Sequence, residues 1–197
     1  LIRSLAAAEG LELGGIERVS DDEDDIVLKL KAALENAQLV VTSGGVSVGD
    51  FDHVPGAVQK LGGEVLVHGI RIKPGKPTLV ARFGERWMFG LPGNPLAVLT
   101  NWRLIVQPLA RALSGAPSAF DESAQTAELV DDAGNGGGRV VFRPAFVRWS
   151  EGRFVLRCLP WQGSHDLSAA AGANALARLE PRQQAKAGDV LPFFSLF

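Results

Sequence analysis

Apolar positions recur in two rhythms along the chain, and the change between them falls near residue 117. Residues 1–9 place Ile2, Leu5 and Ala6 on one side before Gly10, the pattern of an amphipathic helix near its end. Leu11 to Val19 is short and partly β-like. Ile26, Leu30, Ala33, Leu34 and Ala37 form a helical stripe behind Ser20-Asp21-Asp22-Glu23-Asp24-Asp25, acids that a helix dipole favours in a first turn. The continuous apolar run Leu39-Val40-Val41-Thr42 predicts a strand buried on both faces. After a glycine-rich turn, a helix is predicted over Val54 to Leu61, with Pro55 tolerated in its first turn.

Gly62-Gly63 breaks that helix. Strands are predicted over Glu64 to Ile72, Thr78 to Phe83 and Arg86 to Gly90, the last two around a Gly84-Glu85 turn. A long helix follows from Pro95 to Leu113, with Leu99, Trp102, Ile105, Val106, Leu109 and Leu113 as its apolar positions. Pro108 is expected to kink it or to begin a second helix, and Gly115 to stop it. Helices alternating with apolar strands predict an α/β layer with a largely parallel sheet. Beyond residue 117 come short alternating runs such as 140–143, 154–157 and 190–193, separated by glycine-rich turns, which is an all-β pattern. Two domains are expected, 1–117 and 118–197.

Composition narrows the class. Of 197 residues, 46% are hydrophobic and 21% charged, ordinary for a globular protein. A net charge of −2 argues against a general nucleic-acid binder, whose affinity comes from excess Lys and Arg. No apolar run is long enough to span a bilayer. A lone cysteine, Cys158, excludes an intrachain disulfide, and a reduced, cytoplasmic setting is expected. The chain opens Leu1-Ile2-Arg3-Ser4-Leu5 inside what reads as a helix already under way, so a piece of a longer protein is expected.

Four segments carry candidate chemistry. Thr42 to Asp52 follows the apolar strand; its glycines allow close backbone approach to an anion, and Asp50 and Asp52 are hard oxygen ligands suited to magnesium. A tight turn with two solvated acids explains the same residues. Lys73-Pro74-Gly75-Lys76-Pro77 is a stiff loop presenting two ammonium groups, read as an anion clamp rather than a plain surface loop. In Gly90 to Pro95, Asn94 is a good helix cap ahead of Pro95 at the first helical position, which serves an anion site or simply starts a helix. Trp161-Gln162-Gly163-Ser164-His165 offers donors to an oxyanion, or is a β-turn; a Ser164–His165 catalytic pair is discounted because neighbours on a strand point to opposite faces.

Taken in order, TSGGVSVGDFD, KPGKP, GLPGNP ahead of a helix, then WQGSHDL, AAGANAL and AGDV resemble the molybdopterin molybdenumtransferase family, that of MoeA and the gephyrin E-domain. The resemblance runs from about Val19 to the C-terminus. It implies a three-layer molybdopterin-binding (MoaB/Mog-like) α/β domain with a mostly parallel sheet, N-terminally truncated here, followed by a small all-β barrel-like domain. It implies insertion of molybdate into adenylylated molybdopterin with release of AMP, magnesium as cofactor, and homodimers pairing head to tail, with other cofactor-biosynthesis proteins as further partners. Carried over by position, the catalytic group is Asp21, Asp52, Lys73 and Lys76, with Asp50 and Asp52 on the metal. Lys73, Lys76 and Pro77 belong to the loop that holds molybdate, and Arg143 and Ser164 line the same cleft. Ser43, Gly44, Gly45, Ser47, Gly49, Pro92, Gly93 and Asn94 fall on substrate-binding turns.

Three departures stand out. Ala97 occupies a position where the family usually has serine, and His68, Gly69 and Arg71 occupy a stretch where it often has lysine. The family's first two domains and the opening strand of the third have no counterpart, so the fragment alone is expected to be inactive. The short connection Ser114 to Ser118 predicts that the β module cannot fold back over the KPGKP loop of its own chain and instead completes a partner's site. A molybdopterin adenylyltransferase and a non-catalytic scaffold are the alternatives; the KPGKP loop and the β module speak against the first.

Overall fold

The computed structural model describes residues 1–46, 53–116, 125–163 and 166–196. It divides into two units, Leu1–Ile70 with Gly75–Gly115, and Arg71–Pro74 with Ala116–Phe197. The chain therefore crosses between units inside the KPGKP loop as well as after Gly115.

The first unit holds α1 (Ile2–Ala8), α2 (Glu23–Asn36), β1 (Leu39–Ser43), α3 (Val54–Lys60) and β2 (Glu64–His68). After β3 (Ile72–Lys73), which belongs to the second unit, come β4 (Leu79–Phe83), β5 (Arg86–Leu91), α4 (Pro95–Asn101), a π-helical turn (Trp102–Val106) and α5 (Gln107–Leu113). Local chemistry explains the helix starts. Asp22 caps α2 by accepting from Asp25 N, with Glu23, Asp24 and Asp25 in the first turn. Pro55 sits in the first turn of α3. Asn94 caps α4 by accepting from Leu96 N, ahead of Pro95.

The sheet runs β1-β5-β4-β2 and separates two cores. Leu79, Ala81 and Met88 pack with Leu30, Leu34, Ala57 and Val58 on one face. Val80, Phe89 and Leu91 pack with Ala6, Val98, Trp102 and Val106 on the other. The period of two in β4 and β5 thus serves both helical layers, the three-layer α/β arrangement the sequence predicts.

Several details depart from expectation. Among the described residues of this sheet only β1 and β5 pair in parallel, because the Gly84-Glu85 turn folds β4 and β5 into an antiparallel hairpin and β2 joins β4 antiparallel. β1 is half-buried rather than fully buried, since among the described residues only β5 lies beside it. The predicted strand 64–72 breaks at Gly69, which has φ +89°, and its two ends belong to different units. Residues 11–19 form no strand and leave Leu13, Ile16 and Val19 exposed. The helix 95–113 is continuous in sequence, but its irregularity is the π turn just before Pro108. That proline has no N–H for an intrahelical bond, and the widened turn accommodates the gap.

The second unit contains β3, β6 (Gln125–Leu129), β7 (Ala133–Gly134), β8 (Val140–Ser150), β9 (Arg153–Cys158), α6 (Leu167–Ala171), β10 (Ala175–Leu179), β11 (Gln184–Ala185) and β12 (Val190–Ser195). Strands β10, β12, β6, β9 and β8 pair in sequence, and β10 pairs again with β8, closing a five-stranded barrel. Its interior is small and aliphatic: Ala127, Leu129, Ala145, Leu156, Ala175, Ala177, Leu179 and Leu191 are all buried. Burying each leucine stabilises by roughly 1.5–3 kcal/mol. α6 is not predicted from sequence; Asp166 caps it, accepting from Ala169 N at 3.2 Å. Among the described residues no helix is long and apolar enough to cross a membrane.

Candidate functional site

In the α/β unit two glycine-containing turns meet where the parallel strands end. Thr42 and Ser43 of β1 lie opposite Gly90 and Leu91 of β5. Gly44 N donates to Leu91 O at 2.9 Å, and Ser43 Oγ to Pro92 O at 3.3 Å. Close approach explains Gly90, where a Cβ would lie 2.5 Å from Val46 Cγ1, whereas one on Gly93 would make an ordinary contact with Gly44 Cα at 3.8 Å. Ser43, Gly44, Gly45, Pro92, Gly93 and Asn94 are therefore neighbours at the carboxyl edge of the sheet, where α/β proteins bind ligands.

Of the acids singled out in the sequence, only Asp21 falls among the described residues, and it is not part of that cluster. Asp21 is an exposed bend residue ahead of α2, with no side-chain hydrogen bond or ion pair among the described residues. Ser47, Gly49, Asp50 and Asp52 lie outside the described residues, as does Ser164 of the second unit. Among the described residues no group of three or more His, Cys, Asp or Glu is placed to hold a metal ion.

The KPGKP loop is fixed at both ends by different means. Ile72 and Lys73 add to the barrel as a parallel strand, opposite Val140 and Val141 of β8. Arg139 Nη1 donates to Ile72 O at 3.2 Å, and Arg71 Nη2 to Gly138 O at 3.3 Å. The Lys73 ammonium lies 5.2 Å from the ring centre of Trp161, within cation–π range. Residues 71–74 thus fold into the β unit of their own chain. The expectation that the β module cannot meet the KPGKP loop of its own chain is corrected for residues 71–74, because the chain enters that unit there before it reaches Ser114 to Ser118. In the α/β unit, Lys76 O accepts from Ile70 N and Thr78 N, both at 2.9 Å, while the Lys76 side chain is exposed and Pro77 is half-buried.

Within the β unit a cavity of about 350 Å³ is lined by Lys73, Arg139, Arg143, Val141, Trp161 and the loop Gly134–Gly138. No carboxylate is among its described lining residues, and none of the three cations forms an ion pair among the described residues. Arg143, on β8, is oriented by its Nε bond to Leu159 O at 3.3 Å. Asn135, 5% exposed, shapes the glycine loop: Nδ2 reaches Arg139 O at 2.7 Å and Glu180 O at 2.8 Å, and Oδ1 accepts from Gly137 N at 3.0 Å. Burial pushes the nearby Cys158 thiol above its usual range, with the Arg143 charge opposing the shift. Three fixed cations around an uncompensated cavity suit an oxyanion. The sequence points to Lys73 and Arg143, and Trp161 opens one of its candidate segments, but Arg139 and Asn135 were missed. A lone asparagine followed by an arginine in a glycine run was the available signal.

The chain thus pairs a layered α/β unit with a closed β barrel. The chain belongs to the probable molybdopterin-binding domain family, whose profile matches residues 1–112, and the MoeA C-terminal region (domain IV) profile matches residues 126–196. It is 39% identical over 132 residues to the molybdopterin molybdenumtransferase of Staphylococcus aureus (strain COL), covering 67% of this chain and 31% of that protein. The enzyme of the same description from Bacillus subtilis (strain 168) is 31% identical over 178 residues, covering 87% of this chain and 41% of its own length. A crystal structure of the molybdopterin biosynthesis MoeA protein from Pyrococcus horikosii superposes with TM-score 0.71 at 27% identity, covering 91% of this chain and 42% of that one. The chain thus spans well under half the length of these relatives.

Proposed function

We propose that the chain carries the molybdate-handling part of a molybdopterin molybdenumtransferase, which inserts molybdate into adenylylated molybdopterin and releases AMP. The observation that carries this reading is the cavity of the β unit, where Lys73, Arg139 and Arg143 stand without a carboxylate among the described lining residues. Molybdate, a compact dianion, is a substrate that such a site attracts by charge and fixes by hydrogen bonds. The turns at Ser43 to Gly45 and Pro92 to Asn94 are assigned to the molybdopterin nucleotide, because glycine-containing turns at a sheet's carboxyl edge suit phosphate.

Lys76 and Pro77 extend the oxyanion-holding loop, and Asp21 is assigned to the catalytic group by its place in the family pattern. Magnesium is assigned to Asp50 and Asp52 on the same ground, together with Ser47, Gly49 and Ser164 as substrate contacts. The proposed assembly is a homodimer, checked by sedimentation. The test of the reading is calorimetric titration of molybdate into the wild type and Arg143→Ala. Saturable binding that weakens by about tenfold in the variant is expected for loss of a charge-assisted contact. No saturable binding by the wild type, or equal binding by both, overturns it.

A further inference from the structure

The turn that presents Lys76 is held by a polar group from a distant element. Asn101, the last residue of α4, is 0% exposed. Its Nδ2 donates to Thr78 Oγ1 at 2.6 Å and reaches Gly75 O at 3.4 Å. Thr78, also 0% exposed, donates its hydroxyl to the same Gly75 O at 2.7 Å. Gly75 has φ +111°, and a Cβ there would lie 2.5 Å from Asn101 Oδ1. Glycine is therefore required twice over, by backbone conformation and by the packing of the amide against it.

Packing alone does not account for asparagine at this place. Its Oδ1 is buried without a hydrogen-bond partner, a cost that an apolar side chain of similar size avoids. What the amide supplies in exchange is a tether between helix and turn. The π turn begins at the next residue, Trp102, and such turns concentrate where a helix departs from regularity for a local purpose.

We infer that Asn101 is a positioning residue, holding the Gly75–Thr78 turn so that Lys76 is offered to the oxyanion in one geometry. This rests on the proposed role of Lys76 in binding molybdate. Among the described residues the turn is otherwise closed through its main chain, by the bonds from Ile70 N and Thr78 N to Lys76 O and from Gly69 N to Thr78 O. Holding a ligand group in place before binding lowers the ordering cost of association, so loosening the turn weakens binding without touching the charge.

The test titrates molybdate into the wild type, Lys76→Ala, Asn101→Leu, Thr78→Val and Thr78→Ser, with amide exchange at Ile70 and Thr78 as a second readout. Asn101→Leu and Thr78→Val are expected to weaken molybdate binding by about tenfold. Exchange at the Ile70 amide should quicken in both. Thr78→Ser, which keeps the hydroxyl, should bind as the wild type does. A merely structural role predicts altered melting temperature with unchanged molybdate affinity and turn exchange, and that result overturns the inference. If Lys76→Ala binds molybdate normally, the assignment of Lys76 itself fails and the inference falls with it. Weakened Lys76→Ala beside normal Asn101→Leu and Thr78→Val sinks the inference alone. Should Asn101→Leu not fold, Thr78→Val decides.

Discussion

The two units prepare for ligands by opposite means. In the α/β unit the candidate site is backbone: Gly90 lets β5 pack closely against Val46, and Gly44 and Gly45 turn the chain with positive φ. In the β unit it is charge: Lys73, Arg139 and Arg143 surround a cavity whose walls are set by β8 and a glycine loop plugged by Asn135. A backbone site is sensitive to an added methyl and largely indifferent to ionic strength. A cationic site tolerates small steric change and responds to salt.

That difference is open to direct attack. The largest effect is expected at Gly90→Ala, where the new Cβ would meet Val46 Cγ1 at 2.5 Å and Leu79 Cβ at 3.1 Å. Overpacking there should cost about 1–3 kcal/mol in denaturant unfolding, whereas Gly93→Ala, whose nearest neighbour would be Gly44 Cα at 3.8 Å, should leave stability nearly unchanged. Equal losses from both would mean that the turns are not packed as described.

On the β side, Asn135→Ala removes the donor to Arg139 O and Glu180 O and should cost roughly 1–3 kcal/mol while weakening molybdate binding. Unaltered stability would deny the plug its role. Next in size, molybdate affinity should fall as salt rises and should drop by about tenfold in Lys73→Ala. Lys29→Ala, which only breaks an exposed pair with Glu17, should bind normally. Matching behaviour of the two lysine variants would return the KPGKP loop to an ordinary surface loop.

The smallest expected effect is a titration. Because burial raises the Cys158 pKa, the neutral thiol is favoured in the folded protein. Its contribution to stability is complete below the ordinary thiol pKa and is lost as pH rises through the folded value. Thiol alkylation should therefore follow a pH profile displaced upward. Arg143 opposes that shift, so Arg143→Ala should displace the profile further. A profile unmoved by Arg143→Ala would place Arg143 away from the sulfur.

Much of the fold was legible because local chemistry and tertiary packing agreed. Asp22, Asn94, Pro55 and the Gly84-Glu85 turn each fixed an element boundary by a mechanism that needs no distant partner. Strand direction was legible only at the Gly84-Glu85 turn, which makes β4 and β5 antiparallel; the antiparallel pairing of β2 with β4 is a longer-range event. The destination of residues 71–74 was equally hidden, since pairing with β8 is a long-range event that periodicity does not encode. Around the cavity of the β unit, Lys73 and Arg143 were readable from motif and resemblance. Arg139 and Asn135 were not, nor was Asn101 in the α/β unit, because their importance lies in bonds to main-chain oxygens remote in sequence.

The most direct test of the cationic cavity is anomalous diffraction from crystals soaked in tungstate, a heavy surrogate for molybdate. The account predicts a single strong peak among Lys73, Arg139 and Arg143, absent in Arg143→Ala crystals grown the same way. A peak elsewhere with this cavity empty would contradict it.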